Sequence, residues 1–254
     1  MLYALLMTTL AGLATGIGGM VAVIRRPGRH MMAVSMGFAA GVMIAVSLMD
    51  LLPESMEYYE QSFTPLATGF AVSSLLIMGM VIAALLEGCL PENSGLVLGK
   101  SGDRAQVLRS ALVTGLALLL HNLPEGILTL FSGVEEPELG LRLTLAVALH
   151  NLPEGLAVAA PLYYATNSRV KAMGAAVISG LAEPVGAVLA FCLVGRFLTE
   201  AFLNGLLLLV AGIMCWISVF ELLPTGFSFG KRLDTALGFS AGLLVMLLGI
   251  SVLS

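Results

Sequence analysis

The sequence predicts an all-α polytopic membrane protein with eight spanning helices and an inverted internal repeat. Three observations carry that prediction. The 254 residues are 58% hydrophobic and 11% charged, with a mean hydropathy of +0.99, whereas a soluble domain carries roughly 25% charged residues. Apolar runs of about 20 residues, the length that crosses a bilayer, recur along the chain between short joints that hold most of the glycine, proline and charge. Two segments are repeated on runs that cross the membrane in opposite senses.

In chain order the spans are expected near 2–24, 33–53, 66–86, 110–131, 141–164, 171–194, 200–223 and 235–253, all within one transmembrane unit covering 1–254. The first lacks a basic start and is too long for a cleaved signal core, so it reads as a retained helix. Its glycine-rich face, Gly12–Gly19, suits close packing within the bundle or between protomers of a homodimer. Lys and Arg sort the joints. The odd joints hold Arg25, Arg26 and Arg29; Lys100, Arg104 and Arg109; Arg169 and Lys171; and Lys231 and Arg232, ten of the twelve basic residues. The even joints carry only Arg142 and Arg196 and are acidic instead, with Glu57, Glu60, Glu135, Glu136, Glu138 and Glu200. The positive-inside rule therefore puts the odd joints in the cytoplasm and both termini outside. The outer acids either solvate loops or raise the local cation concentration at an outer mouth.

Spans four and five each contain LHNLPEG, Leu120–Gly126 and Leu149–Gly155, at an offset of 29. Spans two and seven share AGVMIAVSLMDLLP (Ala40–Pro53) and AGIMCWISVFELLP (Ala211–Pro224), identical at seven of fourteen positions. Asp50 aligns with Glu221, and Met43 with Met214. Both pairs of spans run antiparallel, so the repeats are inverted, the pattern of secondary transporters that bind substrate at the repeat interface.

The chemistry gathers in these repeats. Of three histidines, His30 sits in a basic joint and reads as solvated. His121 and His150 open the two motifs, each followed at i+4 by a glutamate, Glu125 and Glu154. Residues at i and i+4 share a helix face, so each helix offers an imidazole beside a carboxylate, with Asn122 and Asn151 adding amide oxygens. Pro124 and Pro153 each remove one backbone hydrogen bond and free the carbonyls of Leu120 and Leu149. Glu183, in GLAEPVG, lies mid-span in helix six. An acid at the centre of a spanning helix costs roughly 2.5 kcal/mol or more, and three of them call for cations. Two divalent ions carry +4 against a carboxylate charge of −3, and the donors suffice for two adjacent metals bridged by Glu125 and Glu154. Imidazole and carboxylate suit zinc, and also iron, manganese and cadmium. Met43 offers a thioether or packs in the core; Met214 reads as packing. Asp50 and Glu54 flank Pro53, and Glu221 precedes Pro224. They serve as entrance and exit acids or simply mark helix ends. Glu87 reads as interfacial. Cys89, Cys192 and Cys215 form no CxxC pair and read as small apolar residues.

With HNLPEG in spans four and five, GLAEP in span six and FAAGVM in span two, the chain resembles the ZIP (Zrt-, Irt-like) metal transporters over essentially its whole length, most closely their bacterial zinc-uptake branch. The resemblance implies a 3+2+3 arrangement with spans four and five inside. It implies one metal site from His121, Glu125, His150 and Glu154 with Met43 nearby. It implies a second from Asn122, Asn151 and Glu183 that shares Glu125 and Glu154. The third joint, 88–108, lacks the histidine-rich stretch of many members. The expected function is import of a divalent ion, zinc foremost (Fe2+, Mn2+ or Cd2+ otherwise), through the bacterial inner membrane by alternating access. The ion is substrate, and no cofactor, nucleic acid or enzymatic activity is expected. A passive metal channel is the first alternative. An intramembrane metalloenzyme is the second, disfavoured because HNLPE lacks the glutamate beside the first histidine that zinc proteases use as base.

Overall fold

The computed structural model describes residues 1–89, 103–135, 137–193 and 199–253. Among these, eight helices are long and apolar enough to cross a membrane: α1 (Leu2–Ile24), α2 (Arg29–Glu60), α3 (Pro65–Gly88), α4 (Val107–Val134), α5 (Gly140–Thr166), α6 (Arg169–Cys192), α7 (Glu200–Phe229) and α8 (Arg232–Val252). No strand occurs among the described residues. Lys100, Glu136 and Arg196 lie outside the described residues, as does most of the stretch 88–108.

Each expected span is present. The largest difference from expectation is in α2 and α7, which were expected to stop at Pro53 and Leu223 and instead run on to Glu60 and Phe229. The cause is a repeated local device. Ser47 and Ser218 occupy equivalent repeat positions, and their hydroxyls donate back to the carbonyls of Met43 (2.8 Å) and Met214 (2.7 Å). At each serine the helix widens into a π turn, Ser47–Leu51 and Ile217–Leu222, and the serine carbonyl accepts the backbone N–H of Leu52 or Leu223, five residues on. A proline inside a regular helix clashes with the turn before it. The wider turn absorbs that clash, so Pro53 and Pro224 begin a fresh helical segment. Serine back-bonding to i−4 is itself a helix-bending element. Asp50 and Glu221 therefore lie on these π turns inside long helices and not at helix ends.

The helices associate as two sets of four. α1 packs against α5 and α6, and α4 against α5 and α6; α2 packs against α8, and α3 against α7. The sets meet where α2 lies on α5 and α4 on α7. Between α2 and α8 the contact is set by small residues. A Cβ at Gly37 or Gly41 would strike the carbonyls of Thr235 or Phe239, and one at Gly238 or Gly242 those of Val34 or Phe38. Two facing small-xxx-small stripes thus let the backbones touch, which is how helices gain van der Waals contact when lipid supplies no hydrophobic drive. The glycine-rich face of α1 is used inside the chain: Gly12 lies on the backbone of Gly180 and Gly18 on that of Leu152. α2 is the most enclosed helix and α3 and α8 the least. The main core forms around α2, α5 and α7, with Met32, Met36, Met43, Leu118, Val158, Met214 and Ile217 all buried.

Candidate functional site

The helix continues through Pro124, Pro153 and Pro184. The glycine that closes each HNLPEG motif sets where its helix docks. A Cβ at Gly126 would meet the backbone of Glu183, and one at Gly155 would meet the carbonyl of Thr15. α4 is therefore pressed onto α6 at the level of Glu183, and α5 onto α1. Close approach at these two glycines brings four helices to one point in the membrane.

All seven residues expected to carry the chemistry gather there. His121, Asn122, Asn151, Glu154 and Glu183 are completely buried or nearly so, while Glu125 and His150 retain 8% and 4% of their exposure. The helices exchange partners reciprocally. His121 Nε2 on α4 donates to Glu154 Oε1 on α5 at 3.0 Å, and His150 Nε2 on α5 donates to Glu125 Oε1 on α4. The i+4 spacing does put imidazole and carboxylate on one face of each helix, but each histidine pairs across the interface and not with the glutamate of its own helix. The asparagines are held from outside the motif: Asn122 Nδ2 donates to the Ser179 carbonyl on α6 at 3.0 Å, and Asn151 Nδ2 to the Ala11 carbonyl on α1 at 3.0 Å. Asn151 Nδ2 also donates to Glu183 Oε1.

Each of the seven keeps one buried polar atom with no hydrogen-bond partner: His121 Nδ1, Asn122 Oδ1, Glu125 Oε2, His150 Nδ1, Asn151 Oδ1, Glu154 Oε2 and Glu183 Oε2. An imidazole that donates through Nε2 has its lone pair on Nδ1, so all seven are electron-pair donors of the kind that bind a cation. A buried polar group without a partner costs about 1–3 kcal/mol, and native folds seldom tolerate a group of them without a ligand to satisfy them. The donors nonetheless meet in pairs. Among the described residues no three His, Cys, Asp or Glu side chains are already spaced around one ion. Imidazole and carboxylate of facing helices bond to each other directly.

Two cavities approach the site from opposite ends. One, of about 320 Å³, lies on the side of the even joints. Its walls include Asp50, Glu54, Glu125, Arg142 and His150, so it reaches the two ligand candidates that keep some exposure. The other, of about 330 Å³, lies on the side of the odd joints and is lined by Glu87, Arg109, Ser110, Glu221, Thr225 and Phe229 among others. It touches none of the seven. Asp50 thus faces the first cavity and Glu221 the second. Met43 and Met214 are buried among the apolar side chains of the core.

Several contributors were not legible from the motifs. Ser179 lies four residues before Glu183, the same i, i+4 spacing that puts His121 and Glu125 on one helix face. The α1 wall, with Ala11 and the buried, unpartnered hydroxyl of Thr15, is marked in sequence only by small residues. Glu87, expected at the interface, accepts a hydrogen bond from Trp216 Nε1 at 3.1 Å and so ties α3 to α7. His30, expected to be solvated, is exposed and lies 3.1 Å from Asp234.

Comparison with known proteins gives the same direction. The family model described as ZIP zinc transporter matches residues 94–254. A zinc transporter ZupT of Corynebacterium efficiens is 38% identical over 96% of this chain and 95% of its own length. One from Chlorobaculum parvum is 39% identical over 96% and 95%, and one from Akkermansia muciniphila 40% identical over 95% and 94%. An eight-helix membrane protein with duplicated HNLPEG motifs converging on a buried donor cluster, it belongs to the ZIP family of zinc transporters.

Proposed function

We propose that this single transmembrane unit imports a divalent transition-metal ion, zinc foremost, across the bacterial inner membrane through a binuclear site at the midplane. The observation that carries the reading is the set of seven unpartnered donor atoms, one on each of His121, Asn122, Glu125, His150, Asn151, Glu154 and Glu183. The oxygen and nitrogen composition of that set fits zinc and, lacking a thiolate, disfavours copper(I). Three carboxylates and two divalent ions bring the cluster from −3 to +1, close to what low-dielectric surroundings tolerate. Glu125 and Glu154 bridge the ions. His121 and His150 complete one coordination sphere; Asn122, Asn151 and Glu183 complete the other. Met43 stays in the core or lends a thioether.

The basic odd joints favour both termini outside, so the cavity holding Asp50 opens outward and the one holding Glu221 opens to the cytoplasm. Among the described residues, the cavity of about 320 Å³ reaches the ligand candidates and the one of about 330 Å³ does not, which supports a carrier over a channel, with Asp50 and Glu221 acting on the way in and out. The inverted repeats support a 3+2+3 arrangement in which movement of one helix set against the other exchanges access. The test is zinc flux into proteoliposomes. Wild type is expected to give saturable uptake and a Glu125→Ala, Glu154→Ala double variant none. Equal flux in both would defeat the proposal.

A further inference from the structure

The inner end of the interface between the two helix sets is fastened by polar contacts. Ser110 on α4 donates through Oγ to Glu221 Oε2 on α7 at 2.8 Å. Its one hydrogen being used, it accepts from Thr225 Oγ1 at 2.9 Å. Arg109 donates to the Glu87 carbonyl, and Tyr164 packs edge-on against Phe229 with ring centroids 4.9 Å apart. The outer end of the same interface is open. The cavity of about 320 Å³ separates Asp50, Glu54, Leu207 and Val210 on one set from Thr129, Arg142 and Val147 on the other. Among the described residues no ion pair joins Arg142 to Asp50 or Glu54.

The inverted repeat relates these two ends. Glu221 corresponds to Asp50 and Thr225 to Glu54, and α4 corresponds to α5 at an offset of 29. The counterpart of Ser110 is then position 139, and Arg142 stands one helical turn deeper on the same face. A helical side chain leans toward the N-terminus of its helix. For α5 that is outward, so the long arm of Arg142 covers the turn above it and aims at the level where Asp50 and Glu54 wait. Among the described residues on the walls of that cavity, Arg142 is also the sole Lys or Arg side chain.

We infer that Arg142 is the outer latch: when the outer cleft shuts, its guanidinium pairs with Asp50 and Glu54 as Ser110 pairs with Glu221 and Thr225 at the inner end. Guanidinium forks match carboxylates in a bidentate manner. The latch also explains a cation placed in the entrance of a cation pathway. The two acids attract the metal while the cleft is open, and Arg142 replaces the metal on them once it has passed inward. The inference rests on the alternating-access reading.

Two experiments test it. In proteoliposomes, Arg142→Glu is expected to lower zinc flux about fivefold or more, within the range of a coupled charge pair, with zinc binding at equilibrium retained. Combining it with Glu54→Arg should restore most of the flux. Flux that rises in Arg142→Glu, or that the swap leaves unrestored, overturns the latch and marks Arg142 as a mere repulsive charge at the mouth. In a background with Cys89, Cys192 and Cys215 replaced by serine or alanine, the pair Arg142→Cys, Glu54→Cys should cross-link under a thiol oxidant, and reductant should release the block on flux. Absence of any cross-link overturns the inference even where the swapped variants fail to fold. A wild type that carries no zinc while the cross-link still forms would defeat the transport reading and leave the closure intact.

Discussion

Gly126→Ala adds one methyl group, and its consequences can be worked from the packing. The new Cβ would sit against the backbone of Glu183, well inside van der Waals contact. The atoms it meets are all backbone, so α4 and α6 must part by on the order of 1 Å, and close-packed interiors do not absorb such a shift silently. Overpacking of this kind costs about 1–3 kcal/mol. It also moves Glu183 relative to Asn122 and Asn151, and disturbing the groups that orient metal ligands costs about 10–100-fold in affinity. Gly115→Ala is the internal control on the same helix: its Cβ would meet only a Val158 methyl at 3.7 Å, an ordinary contact. There the replacement removes a helix-weakening glycine and stabilises by up to about 1 kcal/mol. Thermal unfolding in detergent with zinc titration of both variants is the assay. The expected outcome is a lower midpoint and weaker zinc binding for Gly126→Ala, and neither loss for Gly115→Ala. Matching behaviour of the two would refute the claim that the motif's glycine sets the helix spacing at the site.

Gly155→Ala should repeat the Gly126→Ala effect on the α5–α1 side, because its Cβ would meet the Thr15 carbonyl; the same unfolding assay checks it. Glu183→Gln removes one of the three buried carboxylates, and on the proposed binuclear reading elemental analysis of the zinc-loaded protein should count two ions per chain in wild type and one in the variant. Zinc competes with protons for imidazole and carboxylate alike, so binding should weaken by about tenfold or more between roughly pH 7.5 and 5.5; equilibrium dialysis at the two values reads it. Trp216→Phe deletes the donor to Glu87 and should destabilise by about 0.5–1.5 kcal/mol, the ordinary worth of such a bond, measured by thermal unfolding.

What was legible in the sequence and what was not divide along physical lines. Eight spans were readable because hydrocarbon imposes a length and a composition on every crossing helix. The seven donors were readable because polar residues at bilayer depth are rare enough for each to be noticed. The continuation of α2 and α7 past proline was not. It depends on a π turn whose signal is a serine back-bond, and serine followed six residues later by proline is not distinctive until two copies are aligned. The contribution of α1 was hidden for a different reason. It offers a backbone carbonyl from Ala11 and closeness from Gly12, and neither is a side chain that a motif could display. The reciprocal pairing of the histidines across α4 and α5 follows from helix orientation, which periodicity within one helix leaves undetermined.

On the proposed reading, that reciprocal pairing bears on how a site with so charged a centre can both take up an ion and release it. A cluster satisfied only by metal would hold its cargo too firmly to release it, because the empty site would leave every carboxylate oxygen bare in a medium that strongly disfavours it. Here the cluster has internal partners. His121 takes one oxygen of Glu154 and His150 one oxygen of Glu125, while Asn151 takes one oxygen of Glu183. Half of each carboxylate is then satisfied by protein, and the other half remains bare. If the cluster is the transport site, the bare atoms attract an ion and the paired ones keep release from being prohibitive. On the proposed reading, His121→Ala therefore does more than delete a ligand. It strips Glu154 of its partner in the unloaded state, so the unloaded protein should lose stability by about 1–3 kcal/mol, and added zinc should recover part of that loss by mass action. A variant equally stable with and without zinc would show that the pairing serves packing alone.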